Sequence, residues 1–370
     1  MKILFVVYHI LEEHSGISKK ILSQVEGLRR NGAEVHLCTL TTRHDGSKAR
    51  TVDGIAIREF GRGVKAKIAR RISYSDISEY ARKERISLTY IRYDINSDPF
   101  TVHFIKALKR TGSKVYVEIP TWPYDGEFRG QSTSMHIQLS VDRIFRRSFF
   151  RQADKVVTFS DEKTIFGVST LRISNGIDFR KVPLKRTTHP HEDSLHIISV
   201  ANIHLWHGLD RLIKGMGEHP EIPVTLHIVG DGIQEIIDSY VSLASVYGIA
   251  DRVKILGPMY GEALDREFDW ADIAAGSLGR HRSGITSIKT LKNREYAARG
   301  LAFFYSEDDS DFDDKDYVMK VSADETPVDI RAVARFAENI GDNPSQIRAG
   351  VAHLSWDAQM RQVIESHKEG

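Results

Sequence analysis

The stretch that decides the fold runs from residue 195 to residue 211 and reads LHIISVANIHLWHGLDR. Its first six residues form an apolar, β-branched run, which is typical of a strand buried in a parallel sheet. A polar loop follows this run, and Gly208 stands where the next helix begins. Residues 224–232 (VTLHIVGDG) repeat the pattern. Strands that alternate with helices in this way predict an α/β fold with a parallel sheet.

The first half of the chain shows the same alternation. Residues 2–8 predict a strand, and a helix is predicted to run to Arg30 and to end at Asn31-Gly32, because glycine is favoured just after a helix. Later strands are predicted at residues 34–40, 88–92, 114–119 and 155–159. The chain therefore contains two consecutive α/β halves.

Length and charge agree with two domains, since a domain usually has about 100–200 residues and this chain has 370. Residues 179–193 lack periodicity and predict a linker between a first domain at 1–185 and a second at 190–355. Residues 1–185 carry 33 basic and 20 acidic residues, a net charge of +13, and the remainder carries −11. Parallel sheets bind ligands beyond the carboxyl ends of their strands, so a cleft between two such domains is expected.

No segment predicts export or a membrane span. The first apolar run is shorter than the core of a signal peptide, and no run of about 18 apolar residues occurs. Cys38 is the only cysteine, which excludes an intrachain disulfide and a cysteine-based zinc site. These features favour a cytoplasmic protein.

Several common motifs are missing from the sequence. No GxGxxG follows the first strand, and neither a GxxxxGK[ST] phosphate loop nor a GxSxG nucleophile elbow occurs. The sequence therefore does not support dehydrogenase, P-loop or α/β-hydrolase chemistry. The acidic run Asp308–Asp314 supplies the first acids of a calcium loop but lacks its glycine and its final glutamate. A solvated acidic loop is therefore favoured over a metal site.

Three strand–loop–helix corners of the second half could hold a diphosphate. In the first, Asn202, His204 and His207 add polar donors to the free N–H groups and positive dipole end of a helix start. In the second, Gly230-Asp231-Gly232 allows a ligand to approach the backbone closely.

In the third corner, Lys292 and Glu295 lie three residues apart at a helix start and face the same side. The lysine suits a diphosphate, and the carboxylate suits the two hydroxyls of a ribose. An ordinary capped helix start and a helix-surface ion pair remain alternatives for the first and third corners.

Taken in order, these segments resemble family 4 of the glycosyltransferases, whose GT-B fold has two Rossmann-like domains facing a central cleft. Gly16 lies where the family has the glycine loop of its first domain. Residues 175–178 (NGID) are similar to the family's Asn-Gly-Val-Asp turn, and residues 295–300 (EYAARG) to its Glu-Ala-Met-Ala-x-Gly helix. Residues 354–356 (LSW) are similar to the start of a last helix that returns to the first domain, so residues 356–370 are expected to pack there.

The chain departs from the family pattern at several positions. Asn202 and His207 stand where the family has Arg and Lys, and Ser287 stands where the first acid of its Glu-x7-Glu pair would be. Lys292, Glu295 and the tyrosine that follows are instead similar to the Lys-x-x-Glu-Tyr signature of a branch found in bacterial surface-polysaccharide enzymes. Glu118 occupies a strand end where the family often has a cleft histidine.

The resemblance implies that a sugar is transferred with retention from a nucleotide-sugar, such as a UDP- or GDP-sugar, without a metal or other cofactor. The catalytic candidates are then Glu118, His207 and Lys292. The donor is expected to contact Gly16, Asn202, His204, Gly230, Asp231, Lys292 and Glu295. Asp125 and Glu127 are expected to orient acceptor hydroxyls.

The implied acceptor is a glycan or a lipid-linked glycan in capsular, exo- or lipopolysaccharide biosynthesis. Two other functions stay open. One is a sugar-nucleotide epimerase of the same fold, which needs no acceptor. The other is a catalytically silent sugar-binding accessory protein. The missing first acid and the missing Arg of the family pattern favour this alternative.

The basic first half predicts an anionic partner. Residues 58–71 are rich in Lys and Arg. A second basic set has helical spacing and the apolar neighbours Ile144, Phe145, Phe149 and Phe150; it consists of Arg143, Arg146, Arg147 and Arg151. Peripheral attachment to the anionic inner face of a membrane and a solvated basic face are both compatible with this pattern. Nucleic acid is not expected, because no binding motif accompanies the charge.

Overall fold

The computed structural model describes residues 1–12, 15–128, 132–186, 194–340 and 343–369. The chain divides into two compact units, of which the first comprises Met1–Gly176 with Trp356–Gly370 and the second Ile177–Ser355. Each unit is built on its own largely parallel sheet. The α/β class and the two parallel-sheet domains predicted from the sequence are therefore confirmed.

The boundary between the units falls at Gly176, before the predicted end of the first domain at residue 185. The segment after it is bonded to the second unit, since Ile177 N donates to Leu354 O at 2.8 Å and Lys185 N donates to Arg299 O at 2.8 Å. The start of the predicted linker is thus part of the second unit, and its residues 187–193 lie outside the described part of the chain.

The first unit contains nine strands and six of the α-helices described here, five of them in Met1–Gly176. The strands are β1 (Lys2–Ile10), β2 (Glu34–Thr42), β3 (Lys48–Val52), β4 (Ile55–Gly61), β5 (Leu88–Arg92), β6 (Lys114–Ile119), β7 (Lys155–Thr158), β8 (Thr164–Ile165) and β9 (Val168–Arg172). These five helices are α1 (Gly16–Arg30), α2 (Gly63–Ile72), α3 (Ser75–Lys83), α4 (Pro99–Arg110) and α5 (Thr133–Phe150).

The sheet of the first unit has the order β4-β3-β2-β1-β5-β6-β7-β9-β8. Strand β1 is buried on both faces: Ile3, Phe5 and Val7 pack on one side and Leu4 and Val6 on the other. This explains its continuous apolar sequence. Strands β3 and β4 are antiparallel additions at one edge and β8 at the other.

The second unit contains six strands and six α-helices among its described residues. The strands are β10 (Leu195–Val200), β11 (Val224–Val229), β12 (Val253–Gly257), β13 (Ile273–Ala275), β14 (Phe303–Tyr305) and β15 (Val318–Lys320). The helices are α6 (Leu209–Glu218), α7 (Gln234–Val246), α8 (Glu262–Trp270), α9 (Leu291–Arg299), α10 (Ile330–Ile340) and α11 (Pro344–Gly350).

The sheet of the second unit is parallel throughout and has the order β12-β11-β10-β13-β14-β15. Numbered within the unit, this is the order 3-2-1-4-5-6 of a doubly wound nucleotide-binding sheet. The chain leaves β10 toward one edge of the sheet and later returns to β13 on the other side of β10. This reversal of direction between β10 and β13 is the topological switch point of the sheet. Ligands of such sheets bind there, beyond the carboxyl ends of the two strands.

The last helix, α12 (Trp356–Glu369), belongs to the first unit and packs on α1. Trp356, Met360 and Val363 of α12 are buried in the same cluster as Val25 and Leu28 of α1. The contact depends on Gly27, because a Cβ atom at this position would lie 2.8 Å from the carbonyl oxygen of Trp356.

We expect Gly27→Ala to destabilise the first unit, because the added methyl group forces α12 away from α1. Overpacking of this kind costs about 1–3 kcal/mol. Thermal unfolding followed by circular dichroism should show a lower Tm for this variant. The matched control is Gly16→Ala at the start of the same helix, where an added Cβ meets nothing within 4 Å. An unchanged Tm for Gly27→Ala would contradict close packing of α12 on α1.

Candidate functional site

The switch point of the second unit is closed by contacts between the loops that follow β10 and β13. Leu278 N donates to His207 O at 2.9 Å, and Gly279 N donates to Trp206 O at 3.2 Å. A Cβ atom on Gly208 would lie 2.5 Å from Gly279 N, and Gly208 has a φ of +62°. Glycine is therefore required at this position, and the start of α6 is held against the loop after β13.

Tyr296 of α9 joins the carboxyl ends of the same two strands. Its hydroxyl accepts a hydrogen bond from Val200 N at 3.0 Å and donates one to Ala275 O at 3.2 Å. The tyrosine of the Lys-x-x-Glu-Tyr signature thus fixes the position of α9 at the switch point. Lys292, one turn earlier in the helix, is brought to the same place.

His207 is a buried, neutral hydrogen-bond donor at this point. Its Nδ1 accepts from His204 N at 2.9 Å, so the ring proton is on Nε2. Burial lowers the pKa of His207 well below its ordinary value, and the positive charges of Lys292 and Arg280 lower it further. These charges act on the imidazole only because the three groups are near one another.

His204 and Arg280 border the site through a shared aromatic contact. The His204 ring stacks on Trp206 with 4.3 Å between centroids, and the Arg280 guanidinium lies 5.4 Å from the Trp206 ring centre. Burial, followed by the charge of Arg280, lowers the pKa of His204. Asn202, the other sequence-predicted residue of this loop, is exposed.

The centre of the site is a buried pair, Lys292 and Glu307. The Lys292 Nζ and Glu307 Oε2 atoms are inaccessible to solvent and form no hydrogen bond with any described residue. Burial lowers the pKa of Lys292 and raises that of Glu307, although each group partly offsets the shift of the other. Unsatisfied polar atoms are costly in a protein interior, so their presence marks a site that a polar ligand can complete.

Asn293 and Ser277 line the same region. Asn293 Nδ2 donates to Glu307 Oε1 at 3.4 Å, whereas Asn293 Oδ1 and Ser277 Oγ are buried and bond to no described group. Five groups with donor or acceptor capacity therefore converge at the switch point, from the segment after β13, the first turn of α9 and the loop after β14; they are Ser277, Arg280, Lys292, Asn293 and Glu307.

Other predicted donor residues of the second unit have different surroundings. Glu295 is half-exposed and accepts from Arg299 at 3.1 Å within α9. A Cβ on Gly230 would lie 1.8 Å from Ala201 O, and one on Gly232 would lie 2.2 Å from Ile203 O. These glycines are therefore required by the protein's own β10 loop, and a donor contact at Gly230 stays a prediction. Asp231 is exposed.

Glu118 in the first unit is fully buried, and its carboxylate has three hydrogen-bond donors and one further cation around it. Its carboxylate accepts from Gln24 at 2.6 Å, Tyr90 at 2.6 Å and Arg92 at 2.8 Å, and lies 3.5 Å from Lys20 Nζ. A carboxylate without exposed surface cannot touch a substrate, so direct catalysis by Glu118 does not fit this placement. It can act on a ligand only by positioning Lys20 or Arg92.

The remaining predicted residues of the first unit differ in how they are held. Gly16 is exposed at the start of α1 and has room for a side chain, so nothing in the described part of this unit requires glycine there. Asp125 is held by Arg146 at 2.7 Å and by Arg143 at 3.2 Å. The side chain of Glu127 lies outside the described residues.

A hollow of about 390 Å³ opens at the carboxyl end of β1. It is lined by Tyr8, His9, Glu12 and Arg70, together with Ser15, Ser18 and apolar neighbours. The Tyr8 hydroxyl and Arg70 Nε are buried and bond to no described group. The sequence analysis missed this set because its members come from a strand end and from helix α2, far apart in the chain.

Part of the acidic run after β14 is solvated, as predicted: Asp308, Asp313 and Asp314 are exposed, whereas Asp309 and Asp311 belong to an internal ion cluster. Asp309 is buried and bonds to the buried Arg294 at 2.6 Å, and Asp311 pairs with both Arg294 and Lys289. These carboxylates are already neutralised by protein cations. No group of three or more His, Cys, Asp or Glu side chains in the described ranges is placed to hold a metal ion.

Arg280 and Glu307 are the main residues of the second-unit site that sequence reasoning missed. A positional signal existed for both: Glu307 comes two residues after the end of β14, and Arg280 follows β13 by five. Charged residues just beyond the carboxyl ends of parallel strands are candidates for ligand contact. Their convergence with Lys292 depends on the strand order, which the sequence alone does not show.

Several solved structures that are similar to this chain are glycosyltransferases. The glycosyltransferase of Rickettsia africae has a TM-score of 0.69 at 12% identity, over 100% of this chain and 98% of that chain. HepE of Anabaena, in complex with UDP, has 0.65 at 15% identity over 100% of each chain. The galactosyltransferase WaaB of the lipopolysaccharide outer core, in its apo form, has 0.64 at 13% identity, over 100% of this chain and 99% of that chain.

At these identities the likeness is one of fold. The two parallel-sheet units of this chain therefore have the GT-B glycosyltransferase fold. No protein family and no curated protein matches the chain in sequence.

Part of the apolar and basic surface predicted for helix α5 is used within the unit itself. Phe149 and Phe150 are fully buried in the core, and Arg146 is bound to Asp125. Within the described ranges, no helix is long and apolar enough to cross a membrane.

We expect Glu118→Ala to lower the free energy of unfolding by about 3–5 kcal/mol, the usual cost of leaving a buried partner charge unpaired. Burial raises the pKa of Glu118, but Lys20, Arg92 and two hydrogen bonds outweigh it and hold the pKa below its ordinary value. Since the folded pKa is depressed, this stability is present above the ordinary glutamate pKa of about 4.3 and is lost as the pH falls further.

Urea unfolding of the wild type and the variant at several pH values measures this difference, which should shrink in acid. Asp125→Ala is the control, because its half-exposed ion pairs are worth about 0–1 kcal/mol. A Glu118→Ala protein of unchanged stability would show that the carboxylate is not a structural centre.

Proposed function

We propose that the protein is a retaining glycosyltransferase that takes a sugar from a UDP- or GDP-sugar bound at the β10/β13 switch point. The observation that carries the proposal is the Lys292–Glu307 pair, whose Nζ and Oε2 atoms are buried without hydrogen bonds beside His207. A buried cation and a neutral N–H donor at a parallel-sheet switch point suit a diphosphate. HepE, which shares the fold, was solved with UDP.

The departing diphosphate is the charge that the site must stabilise. Lys292 and Arg280 supply positive charge, and His207 Nε2–H supplies a neutral donor that needs no proton exchange at neutral pH. Their placement before the reaction means that no reorganisation is needed as charge develops on the leaving oxygen. We propose that this set makes a metal ion or other cofactor unnecessary, as the resemblance implied.

The first acid of the family's Glu-x7-Glu pair, which Ser287 does not supply, is proposed to be replaced by Glu307. Glu307 Oε2 is buried and free to accept from a sugar hydroxyl, and Asn293 beside it offers a second acceptor. Glu295, half-exposed on the same helix as Lys292, is proposed to bind the ribose. Asn202, His204 and Asp231 remain proposed donor contacts at the rim, and Gly16 a proposed contact from the first unit.

In the transfer step the bond between the anomeric carbon and the β-phosphate oxygen breaks. An acceptor oxygen forms the new bond on the same face of the sugar, and its proton passes to the departing phosphate oxygen. Nucleoside diphosphate and glycosylated acceptor are the products, so atoms and charge balance.

The acceptor is proposed to bind in the first unit, in the hollow beside β1. His9, Glu12 and Arg70 offer hydrogen bonds and one positive charge there, which suits a glycan or a lipid-linked glycan. Asp125 and Glu127 remain proposed acceptor contacts. We place the enzyme in the cytoplasm, at the inner face of the membrane, in capsular, exo- or lipopolysaccharide biosynthesis.

We expect UDP or GDP, or their sugar conjugates, to raise the Tm of the full chain by mass action. Lys292→Met should weaken their binding about 10-fold to 100-fold, which is the effect of losing a charge-assisted hydrogen bond. Because burial lowers the pKa of Lys292 and an anionic ligand favours its charged form, UDP-glucose should bind with proton uptake and more weakly as pH rises. Calorimetry in buffers of different ionisation enthalpy measures both effects.

The double variant Lys292→Met/Glu307→Gln removes both buried charges, so neither is left without its partner. Because this variant should fold, it separates loss of nucleotide binding from misfolding. Lys254→Met, at an exposed position of β12, is the matched control and should bind as the wild type does. A Lys292→Met protein that folds and binds UDP normally would remove the main support for this site.

A turnover assay separates the three candidate functions. The sugar nucleotide that raises the Tm is incubated with a polyprenyl-phosphate-linked sugar as acceptor. Transfer that needs this acceptor supports the glycosyltransferase. Conversion of the sugar nucleotide alone identifies an epimerase, and binding without turnover on a panel of acceptors identifies an accessory protein.

We expect Arg70→Gln to reduce acceptor-dependent transfer at least about tenfold, from the loss of one hydrogen bond to a charged group, while UDP affinity stays unchanged. The initial rate at varied acceptor concentration is the measurement, and the defect should lie mainly in KM. Arg62→Gln, which is exposed at the start of the same helix, should transfer normally. Equal rates for the two variants would place the acceptor outside the β1 hollow.

A further inference from the structure

Helix α2 turns an apolar stripe toward solvent. Val64, Ile68 and Ile72 are spaced by four residues and are 74%, 53% and 43% exposed. The opposite side of the helix faces the unit, where Ala66 is buried. A surface helix ordinarily buries its apolar stripe and exposes its polar face. Helix α2 exposes both its stripe and its lysines, and the stripe lacks a cover among the described residues.

The charges around the stripe are positive. The sequence contains no acidic residue from Gly61 to Ser73. Lys65 and Lys67 flank the stripe, are exposed, and form no ion pair with a described residue. Arg71 differs from them, since it is bound to Asp98 at 3.2 Å. The stripe is therefore accompanied by free lysine charges that favour an anionic partner.

The apolar surface continues beyond the end of the helix. Ile72 borders a hollow of about 460 Å³ between α3 and α4, which is also lined by Phe100, Phe104, Arg82 and Arg110. Phe100 is exposed. The hollow thus continues the apolar character of the stripe, and its lining carries Arg82 and Arg110 together with the acidic Glu79.

We propose that α2 docks the protein on an anionic lipid surface, with Val64, Ile68 and Ile72 in the acyl boundary and Lys65 and Lys67 among the headgroups. Short amphipathic helices with apolar and lysine-rich faces bind in this way. A stable protein interface needs about 800 Å² from each partner, far more than three side chains offer. Helix α5 is a weaker candidate, because Asp125 engages two of its arginines.

Docking through α2 also positions the acceptor hollow relative to the bilayer. This step rests on the proposed function. Arg70 leaves α2 on the side of the β1 hollow, whereas the stripe leaves it on the side of the solvent. A membrane-bound α2 therefore holds the acceptor hollow next to the bilayer, as a lipid-linked acceptor requires.

The test is sedimentation of the full chain with vesicles of phosphatidylglycerol and phosphatidylcholine, compared with phosphatidylcholine alone. We expect binding to the anionic vesicles only. Val64→Ser/Ile68→Ser should abolish it, and Lys65→Gln and Lys67→Gln should each weaken it about fivefold, from about 1 kcal/mol per charge near such a surface. Val246→Ser, at an 81% exposed position of α7, is the matched control.

A gain-of-signal variant keeps the test independent of folding defects. Tryptophan fluorescence of Ile68→Trp should shift to shorter wavelength on anionic vesicles, whereas that of Val246→Trp should not. Normal vesicle binding by Val64→Ser/Ile68→Ser, or no binding by the wild type, would overturn the proposal. So would a dimer of the wild type, seen by sedimentation equilibrium, that this double variant dissociates.

Failure of docking and failure of the proposed function have different readouts. The Tm increase caused by UDP reports the second-unit site and should be the same in the wild type and in Val64→Ser/Ile68→Ser. Vesicle binding without any nucleotide effect would retain the docking surface and reject the donor site.

Discussion

The second unit depends on the closure of its switch point, where the ends of β10 and β13 are tied together. The Tyr296 hydroxyl bonds to both strand ends, and Gly208 lets the start of α6 lie against Gly279. A side chain at Gly208 would separate the two loops, since its Cβ would lie 2.5 Å from a backbone nitrogen. Because the strand ends are fixed, α9 can hold the buried Nζ atom of Lys292 near the buried carboxylate of Glu307.

The two units use buried charge in opposite ways. Glu118 in the first unit has four partners within hydrogen-bond or ion-pair distance and is a structural centre. Lys292 and Glu307 in the second unit keep atoms without hydrogen bonds. Desolvation without full compensation is unfavourable for stability, and such groups are found where a ligand completes the network. This contrast separates a carboxylate that maintains the fold from one that is available to a substrate.

The two faces of α2 illustrate how one short helix can serve two surfaces. Its inner side brings Arg70 to the β1 hollow, and its outer side presents Val64, Ile68 and Ile72. The inner face is constrained by packing on the sheet, whereas the outer apolar face is not required by the described fold. Apolar side chains that do not contribute to a core are expected where another apolar phase replaces water.

The sequence by itself determined the α/β class and the two domains, and it singled out the two strand–loop–helix corners that carry His207 and Lys292, because these follow from local periodicity and helix-terminus chemistry. It did not show that Glu118 is fully buried or that Asp309 and Asp311 pair with Arg294, since burial and ion pairing depend on residues distant in the chain. It could not find Arg280, Glu307 or the hollow beside β1. Only the tertiary structure decided those, because parallel strands bring their carboxyl ends together in an order that the spacing of residues along the chain does not encode.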